Sequence, residues 1–300
     1  MKNIKLKNLT SFRLGGGARV MYCLEEKNAP LILKNLIKKK INYFVVGGGT
    51  NIIASDKGFE GVIVKISFNK IQVLKSGILC DAGAPLMKLV NEANRSGFAG
   101  FETLAGIPGT VGGALFGNAG AYGKEVSEGL SKIKIFDGSR VRWIAKNKCA
   151  FAYRDSIFKK RPWVILQALF KLKRGDKKNL IKKSKEIICI RNKKYPPDLK
   201  CAGSIFKNIP VKSSMGQKLI KKMPPEKIIG GKIPVGFLLE TVGAKGMRVG
   251  EIRVSEDHAN LLINNGRGKA DEVKTIINNL KLKIKRKYGV VLEEEVRYLE

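Results

Sequence analysis

Apolar positions along the chain alternate between helical and strand periods, and each change of period marks an element. Asn28 followed by Pro30 opens a helical stretch in which Leu33, Leu36 and Ile37 share one face, and Lys38 to Lys40 close it where cations suit the helix dipole. The run Tyr43 to Val46 predicts a buried strand ending in Gly47-Gly48-Gly49-Thr50-Asn51, and Val62 to Ile66 predicts another. Pro85 starts a helix with Leu86, Leu89, Val90 and Ala93 at helical spacing, and Gly97 is its natural stop. Beyond Phe170 the pattern turns basic and helical until Tyr195-Pro196-Pro197-Asp198 breaks it, which places a domain boundary nearby. Residues 269–288 predict a long helix with Val273, Ile276, Ile277, Leu280 and Ile284 on one stripe and Gly289 past its end. Val290 to Leu299 predicts a terminal strand whose alternation sends Glu295 and Arg297 to one face, Val296 and Tyr298 to the other.

Two glycine-rich segments interrupt this pattern. A strand that runs into Gly47 to Asn51 offers backbone N–H groups with no Cβ to block a pyrophosphate, although the same residues also suit a simple tight turn. The spacing is neither GxGxxG nor GxxxxGK[ST], which argues against a nicotinamide-type Rossmann site and a P-loop. The second segment, Gly100 to Ala114 continuing through Asn118 to Gly123, is apolar and rich in small residues. Such a stretch implies main chain pressed against something large and flat, or a succession of tight turns, rather than a polar linker.

A length of 300 residues suffices for one large or two to three modest domains, and 44% hydrophobic with 28% charged residues is the balance of a packed globular chain. No apolar run is long enough to span a bilayer and the N-terminus lacks a signal-peptide core, so a cytoplasmic location is expected, with no membrane insertion. Five scattered cysteines with no CxxC pair suggest reduced structural thiols, neither a disulfide framework nor a metal site. A net charge of +33 favours anionic partners through the long-range field. Basic residues crowd Lys171 to Lys194, yet no zinc-finger spacing or aromatic RNA-binding signature accompanies them, so a solvated lysine-rich surface is expected rather than a specific nucleic-acid site.

Seven blocks, in order, carry a resemblance: NLTSFRLGGGA from Asn8, VVGGGTNIIASDKGFEGVIV from Val45, GFETLAGIPGTVGGALFGNAGAYG from Gly100, FAYRDSIFK from Phe151, AGSIFKN from Ala202, GFLLETVGAKGMRVGEIRVSEDHANLLIN from Gly236 and LEEEVR from Leu292. Together they resemble the UDP-N-acetylenolpyruvoylglucosamine reductases over nearly the whole chain. The resemblance implies an α+β fold, with a two-part FAD-binding unit of the vanillyl-alcohol-oxidase-like (PCMH) type and a smaller α/β substrate-binding domain. It implies FAD-binding subdomains at 1–66, rejoined by about 290–300, and at 67–190, with the substrate domain at 191–289. The spacing after Arg191 suits the shorter class of the family, without a substrate-domain insertion.

The activity implied is NADPH-dependent reduction of UDP-N-acetyl-enolpyruvoylglucosamine to UDP-N-acetylmuramate through FAD, in bacterial peptidoglycan synthesis. Small molecules would be the partners, with no obligate protein partner. Gly47, Gly48, Gly49, Thr50, Asn51, Gly106, Ile107, Pro108, Gly109, Thr110, Gly112, Gly113, Asn118, Gly120, Ala121 and Tyr122 would hold the flavin. Arg154, Ser204 and Glu295 would carry the chemistry, Arg154 as a planar fork for a carboxylate or enolate oxygen and Glu295 as a hydrogen-bonding acid. Ser204 would give a proton to a carbanion, a base strong enough for a weakly acidic hydroxyl, with Lys194 or Lys207 as the candidate supporting cation. Tyr153, Arg191, Lys194, Lys207, Asn208, Lys245, His258 and Arg297 would meet the sugar nucleotide. The chain departs from the family pattern at Gly17 and Thr50, where proline and serine are usual, and at Ile209, which separates Asn208 from the expected proline and is expected to shift the substrate loop. Another FAD oxidoreductase on the same flavin unit, or a basic nucleic-acid-binding protein, would explain the glycines or the charge alone.

Overall fold

The computed structural model describes residues 4–300, the side chain of Arg19 excepted. Contacts divide the chain into two compact units, one built from Ala18–Gly48 and Glu60–Pro197, the other from Lys5–Gly17, Gly49–Phe59 and Asp198–Glu300. Each has its own apolar core.

In the first unit, strand Phe59–Ile66 lies between Gly17–Leu24 and Tyr43–Val46, and it runs parallel to the latter. A five-stranded antiparallel sheet follows, in the order Val141–Ala145, Leu130–Phe136, Val164–Lys171, Gly77–Asp81 and Ile71–Leu74. Helix α1 spans Ala29–Lys38. It buries Leu33 and Leu36 as their spacing predicts, but leaves Ile37 39% exposed, because the buried stripe continues backward to Ala29 rather than sideways. Helix α2, Leu86–Arg95, buries Leu86, Leu89, Val90 and Ala93 completely, and Gly97 takes the left-handed conformation just past its end. Helix α3, Val111–Gly117, ends at Asn118 in the same left-handed region. Helix α4, Lys177–Lys194, starts on Asp176, whose side chain accepts the Asn179 N–H at 2.8 Å. It buries only Leu180, Ser184 and Ile187 and turns its lysines outward.

A polar anchor ties α4 to the turn that opens the second glycine-rich segment. The carboxylate of Glu102 accepts the Gly100 N–H at 2.7 Å and pairs with Lys183 at 3.2 Å, while Ser184 donates to the Glu102 carbonyl. Burial works to raise the Glu102 pKa, but the backbone N–H bonds and Lys183 outweigh it, so the folded value lies below the ordinary one. The contribution to stability is therefore complete above the ordinary carboxylate pKa and is lost as pH falls through the folded value. Glu102→Gln should cost about 1–2 kcal/mol near pH 7. Thermal melts of both proteins from pH 7 to pH 3.5 check this, since the gap in Tm should close with acid; a constant gap would place the effect in packing.

In the second unit, the terminal strand Arg297–Leu299 pairs parallel to Ile52–Ala54. An antiparallel sheet joins Arg248–Val249, Ile252–Val254 and Leu262–Asn264, and a short hairpin pairs Ile209–Pro210 with Lys232–Ile233. Helices α5, Ser214–Ile220, and α6, Val235–Glu240, are short. Helix α7, Ala270–Tyr288, buries Val273, Ile276, Ile277, Leu280 and Ile284 at 1% exposure or less, and Gly289 closes it at φ +70°. The terminal strand is much shorter than its hydrophobic pattern predicts. Residues 290–296 form no strand, and they meet the irregular Ser204–Asn208 segment through a single bridge, Phe206 to Glu294, instead of a ladder. Ile209 is buried in the second core, and the Asn208 Oδ1 beside it accepts the Val235 N–H at 3.0 Å. Asn208 thus faces the start of α6. Among the described residues no helix is long and apolar enough to cross a membrane.

Candidate active site

The first unit brings the end of strand Tyr43–Val46 against the second glycine-rich segment. A Cβ on Gly47 would lie 2.5 Å from Thr110 Oγ1, and one on Gly112 would meet the Ala82 side chain at 2.9 Å. Gly106 and Gly109 hold φ of +76° and +108°, values that only glycine adopts without strain. Gly106, Pro108 and Gly113 are exposed, so this stretch offers bare main chain to a ligand, with Ile107, Gly109 and Thr110 half-buried beside it. Gly48 is exposed as well. A flat, pyrophosphate-bearing group such as FAD fits a surface of this kind, on which few side chains stand in the way.

The chain then forms a tight hairpin. Ala121 pairs with Lys124 and Gly120 with Glu125, and the two loop residues Tyr122 and Gly123 both have positive φ, as a type I′ turn requires. Tyr122 is 49% exposed at the tip of the hairpin. Arg154 rests on this hairpin: its guanidinium donates to the Gly120 carbonyl at 2.7 Å and to the Asn118 carbonyl at 3.5 Å. Arg154 itself has φ +54°, within a turn closed by reciprocal backbone hydrogen bonds between Ala152 and Asp155. Its guanidinium also lies 5.1 Å from the Tyr153 ring centroid. The next two residues of the motif are structural: Asp155 pairs with Lys160 at 3.2 Å, and the fully buried Ser156 donates to the Phe116 carbonyl at 2.7 Å.

Arg191, near the end of α4, completes a cationic corner of this unit. Its side chain packs on Gly106, where a Cβ would stand 3.1 Å from its Cδ, and its guanidinium lies 5.4 Å from the Tyr195 ring. Burial lowers its pKa first of all; the Tyr195 and Tyr122 phenols act in the opposite sense, and the like charge of Arg154 adds to the lowering. Its Nε is buried with no hydrogen-bond partner, an orphaned donor suited to an anion. Lys194, one turn of helix further on, is exposed.

The second unit assembles Ser204 and Glu295 from distant parts of the chain. Glu295 donates its N–H to the Ile205 carbonyl at 2.7 Å, and Lys207 donates its N–H to the Glu293 carbonyl at 2.9 Å. On the other side Ser204 bridges to Leu261, and Ile205 donates to the Asn260 carbonyl at 3.0 Å. The Asn260 amide grips both polar groups of the Phe206 backbone, at 2.9 and 2.8 Å. Gly203, at φ +75°, turns the chain into this clamp. Asn51 Nδ2 donates to the Glu295 carbonyl at 3.0 Å, and the Asn51 carbonyl accepts the Arg297 N–H. The last residue of the GGGTN turn therefore spends its side chain on the terminal segment. Gly49, at φ +66°, has no room for a Cβ, which would fall 1.9 Å from the Leu9 carbonyl oxygen. Thr50 is half-buried in the same turn.

The remaining sequence candidates are dispersed over the second unit. Lys207 pairs with Glu293, and Lys245 pairs with Glu240 at 3.3 Å. His258 Nδ1 faces the Asn260 N–H at 3.5 Å, and its ring fills the space that a Cβ on Gly236 would need. Burial lowers the Arg297 pKa. Asn260, Glu125 and Tyr195 escaped the sequence reading. Only the spacing of Asn260, two residues after the lone histidine, and of Tyr195, one turn beyond Arg191, could have pointed to them.

Known proteins resemble this chain over most of its length. The sequence model described as UDP-N-acetylenolpyruvoylglucosamine reductase, C-terminal domain, matches residues 195–299, and one described as FAD binding domain matches residues 18–138. The UDP-N-acetylenolpyruvoylglucosamine reductase of Solibacter usitatus is 44% identical over 256 residues, covering 85% of this chain and 82% of that protein. The enzyme of the same name from Pseudothermotoga lettingae is 33% identical over 295 residues, covering 97% and 94%. The crystal structure of the Thermus caldophilus enzyme superposes with a TM-score of 0.78 at 26% identity, covering 100% of this chain and 98% of that one. With glycine-rich main chain bared for a flavin and long, nearly full-length likeness to these proteins, the chain belongs to the UDP-N-acetylenolpyruvoylglucosamine reductase family.

Proposed function

We propose that this reductase converts UDP-N-acetyl-enolpyruvoylglucosamine to UDP-N-acetylmuramate in the bacterial cytoplasm, with Arg154, Ser204 and Glu295 as its catalytic residues. Bound FAD would supply the redox chemistry, the passage of hydride from NADPH to the outer carbon of the enolpyruvyl double bond. The substrate carbon beside the carboxylate is left electron-rich and needs a proton and a counter-charge. Ser204 Oγ gives the proton to that carbon. Arg154 stabilises the charge that spreads onto the carboxylate, and Glu295 adds a hydrogen bond to the same group. A guanidinium already held by two carbonyls loses little freedom when it meets an oxyanion, which favours preorganised stabilisation.

The observation that carries this reading is the main-chain clamp that sets Glu295 beside the Ser204 segment, through the 2.7 Å bond from Glu295 to Ile205. Arg191, Lys194, Lys207, Asn208, Lys245, His258, Arg297 and Tyr153 are assigned to the sugar nucleotide, and the orphaned Arg191 Nε supports the first of these. The test is NADPH oxidation by the purified, flavin-loaded protein. It should require the enolpyruvyl sugar nucleotide and yield a product two mass units heavier than that substrate, within about 0.1 unit. Oxidation at the same rate without that substrate would defeat the reading.

The charge of +33 should also be felt by both anionic substrates. Between 0.1 and 1 M KCl the Debye length falls from about 10 to about 3 Å, and KM for NADPH and for the sugar nucleotide should rise about threefold or more. A KM that stays flat across this range would mean that the basic surface does not steer the ligands.

A further inference from the structure

Asn118 is wholly buried, at 0% exposure, and sits in the left-handed conformation at the end of α3. Its side chain points into the protein. Nδ2 donates to Glu125 Oε2 at 2.6 Å and to the Ala152 carbonyl at 2.9 Å. Because both partners only accept, the orientation of the amide is settled by chemistry. The Ala152 carbonyl belongs to the turn that carries Arg154, and the Asn118 carbonyl is itself one of the two on which the Arg154 guanidinium rests. Glu125 is paired across the hairpin with Gly120, whose carbonyl is the other. That pairing is flush: a Cβ on Gly120 would come within 3.0 Å of Glu125 Cα and Cγ. The Glu125 N–H in turn donates to Glu128 Oε1 at 2.9 Å, which holds the second strand of the hairpin in place.

We propose that Glu125 and Asn118 are positioning residues for Arg154, fixing through one half-buried carboxylate–amide contact both the turn that carries this arginine and the two carbonyls that aim it. The inference rests on the assignment of Arg154 to catalysis. A guanidinium has five donors in a rigid fork, so two held by carbonyls determine the plane in which the others lie. Arg154 sits at positive φ, which a non-glycine residue keeps only when its surroundings over-determine it. The contact from Asn118 to Ala152 is part of what does so. Glu125 and the Asn118 amide reach Arg154 only through that turn and those carbonyls, so loss of their contact should be felt as misalignment of the guanidinium.

The experiment compares Glu125→Ala, Glu125→Gln and Arg154→Ala in the flavin-loaded protein by stopped flow, following flavin reduction by NADPH and then reoxidation by the enolpyruvyl substrate. Glu125→Ala should keep its flavin and be reduced at the wild-type rate, while reoxidation slows about 10- to 100-fold, the order expected from a displacement of about 1 Å. Glu125→Gln, whose amide oxygen still accepts from Asn118, should recover most of that rate. In the Arg154→Ala background the Glu125→Ala change should cost nothing more, because the group it positions is gone. A merely structural role would add its loss on top of the first and would slow both half-reactions. If Glu125→Ala does not fold, Glu125→Asp, one methylene short of Asn118, takes its place with the same expected split. Normal reoxidation in Glu125→Ala beside slow reoxidation in Arg154→Ala would overturn the inference. Normal reoxidation in Arg154→Ala would instead overturn the catalytic assignment on which it rests.

Discussion

Ser204→Ala is expected to bind flavin and to be reduced by NADPH as fast as the parent protein, yet to reoxidise with the enolpyruvyl substrate about 10²- to 10⁴-fold more slowly, the range for loss of a general acid. On the proposed mechanism the half-reactions separate, because the serine would act only after hydride has left the reduced flavin. Its backbone is held independently of its hydroxyl: Gly203 supplies the left-handed turn, Leu261 bridges Ser204, and Asn260 grips Ile205 and Phe206. Ser204 itself is not at positive φ, so alanine fits the same conformation. A loss confined to reoxidation would therefore be the mark of chemistry, since a disturbed fold would slow both half-reactions. Stopped-flow traces with slow reduction and normal reoxidation would be the wrong pattern and would remove Ser204 from the mechanism. A full turnover rate in the variant would do the same.

The three successive glutamates of the C-terminal segment should part company when each is replaced by glutamine. Glu293 has a side chain 68% exposed and pairs with Lys207. The carboxylate stands in solvent although the Lys207 side chain is only 15% exposed, so the pair should contribute about 1 kcal/mol or less and Glu293→Gln should change little. Glu294 is bound on both sides, by the Lys281 ammonium and by the Tyr298 hydroxyl at 2.5 Å. Burial raises the Tyr298 pKa, and the Glu294 carboxylate adds to the effect, so the phenol stays protonated and keeps donating. Glu294→Gln should lower Tm, at a cost of about 1–2 kcal/mol, and leave both half-reactions intact. Glu295 has both backbone groups committed, N–H to Ile205 and carbonyl to Asn51, so substitution alters only what the side chain does. Glutamine keeps the shape and removes the ionisable proton. Reoxidation by substrate should fall about 10²-fold with reduction unchanged. Equal and mild effects in all three variants would show a solvated charge run and no catalytic glutamate.

Strand alternation alone cannot make this distinction, since it puts Glu293 and Glu295 on one face. What separates them is the partner each meets, and those partners come from remote segments: Lys207 for Glu293, Lys281 for Glu294, and Ile205 with Asn51 for the Glu295 backbone. The same holds for Asn118. Its motif suggests a ligand contact, but its amide is directed to Glu125 and Ala152. Of the long strand that the C-terminal pattern predicts only Arg297–Leu299 forms, because the segment facing residues 290–296 is irregular and offers scattered bonds instead of a ladder.

Sequence by itself determined the elements whose apolar period is unbroken. The stripes of α2 and α7 are buried to within 1%, and the glycines past their ends, Gly97 and Gly289, take the left-handed conformation that stops a helix. It also carried the family likeness and the bare main chain of the second glycine-rich segment, since the absence of Cβ atoms is a property of composition. Tertiary structure decided which polar groups face each other: the clamp on Ser204, the platform under Arg154 and the fate of each glutamate. Apolar burial is non-directional and follows a local period. A buried hydrogen bond needs one particular partner at one distance and angle, and that partner is chosen by how distant segments pack.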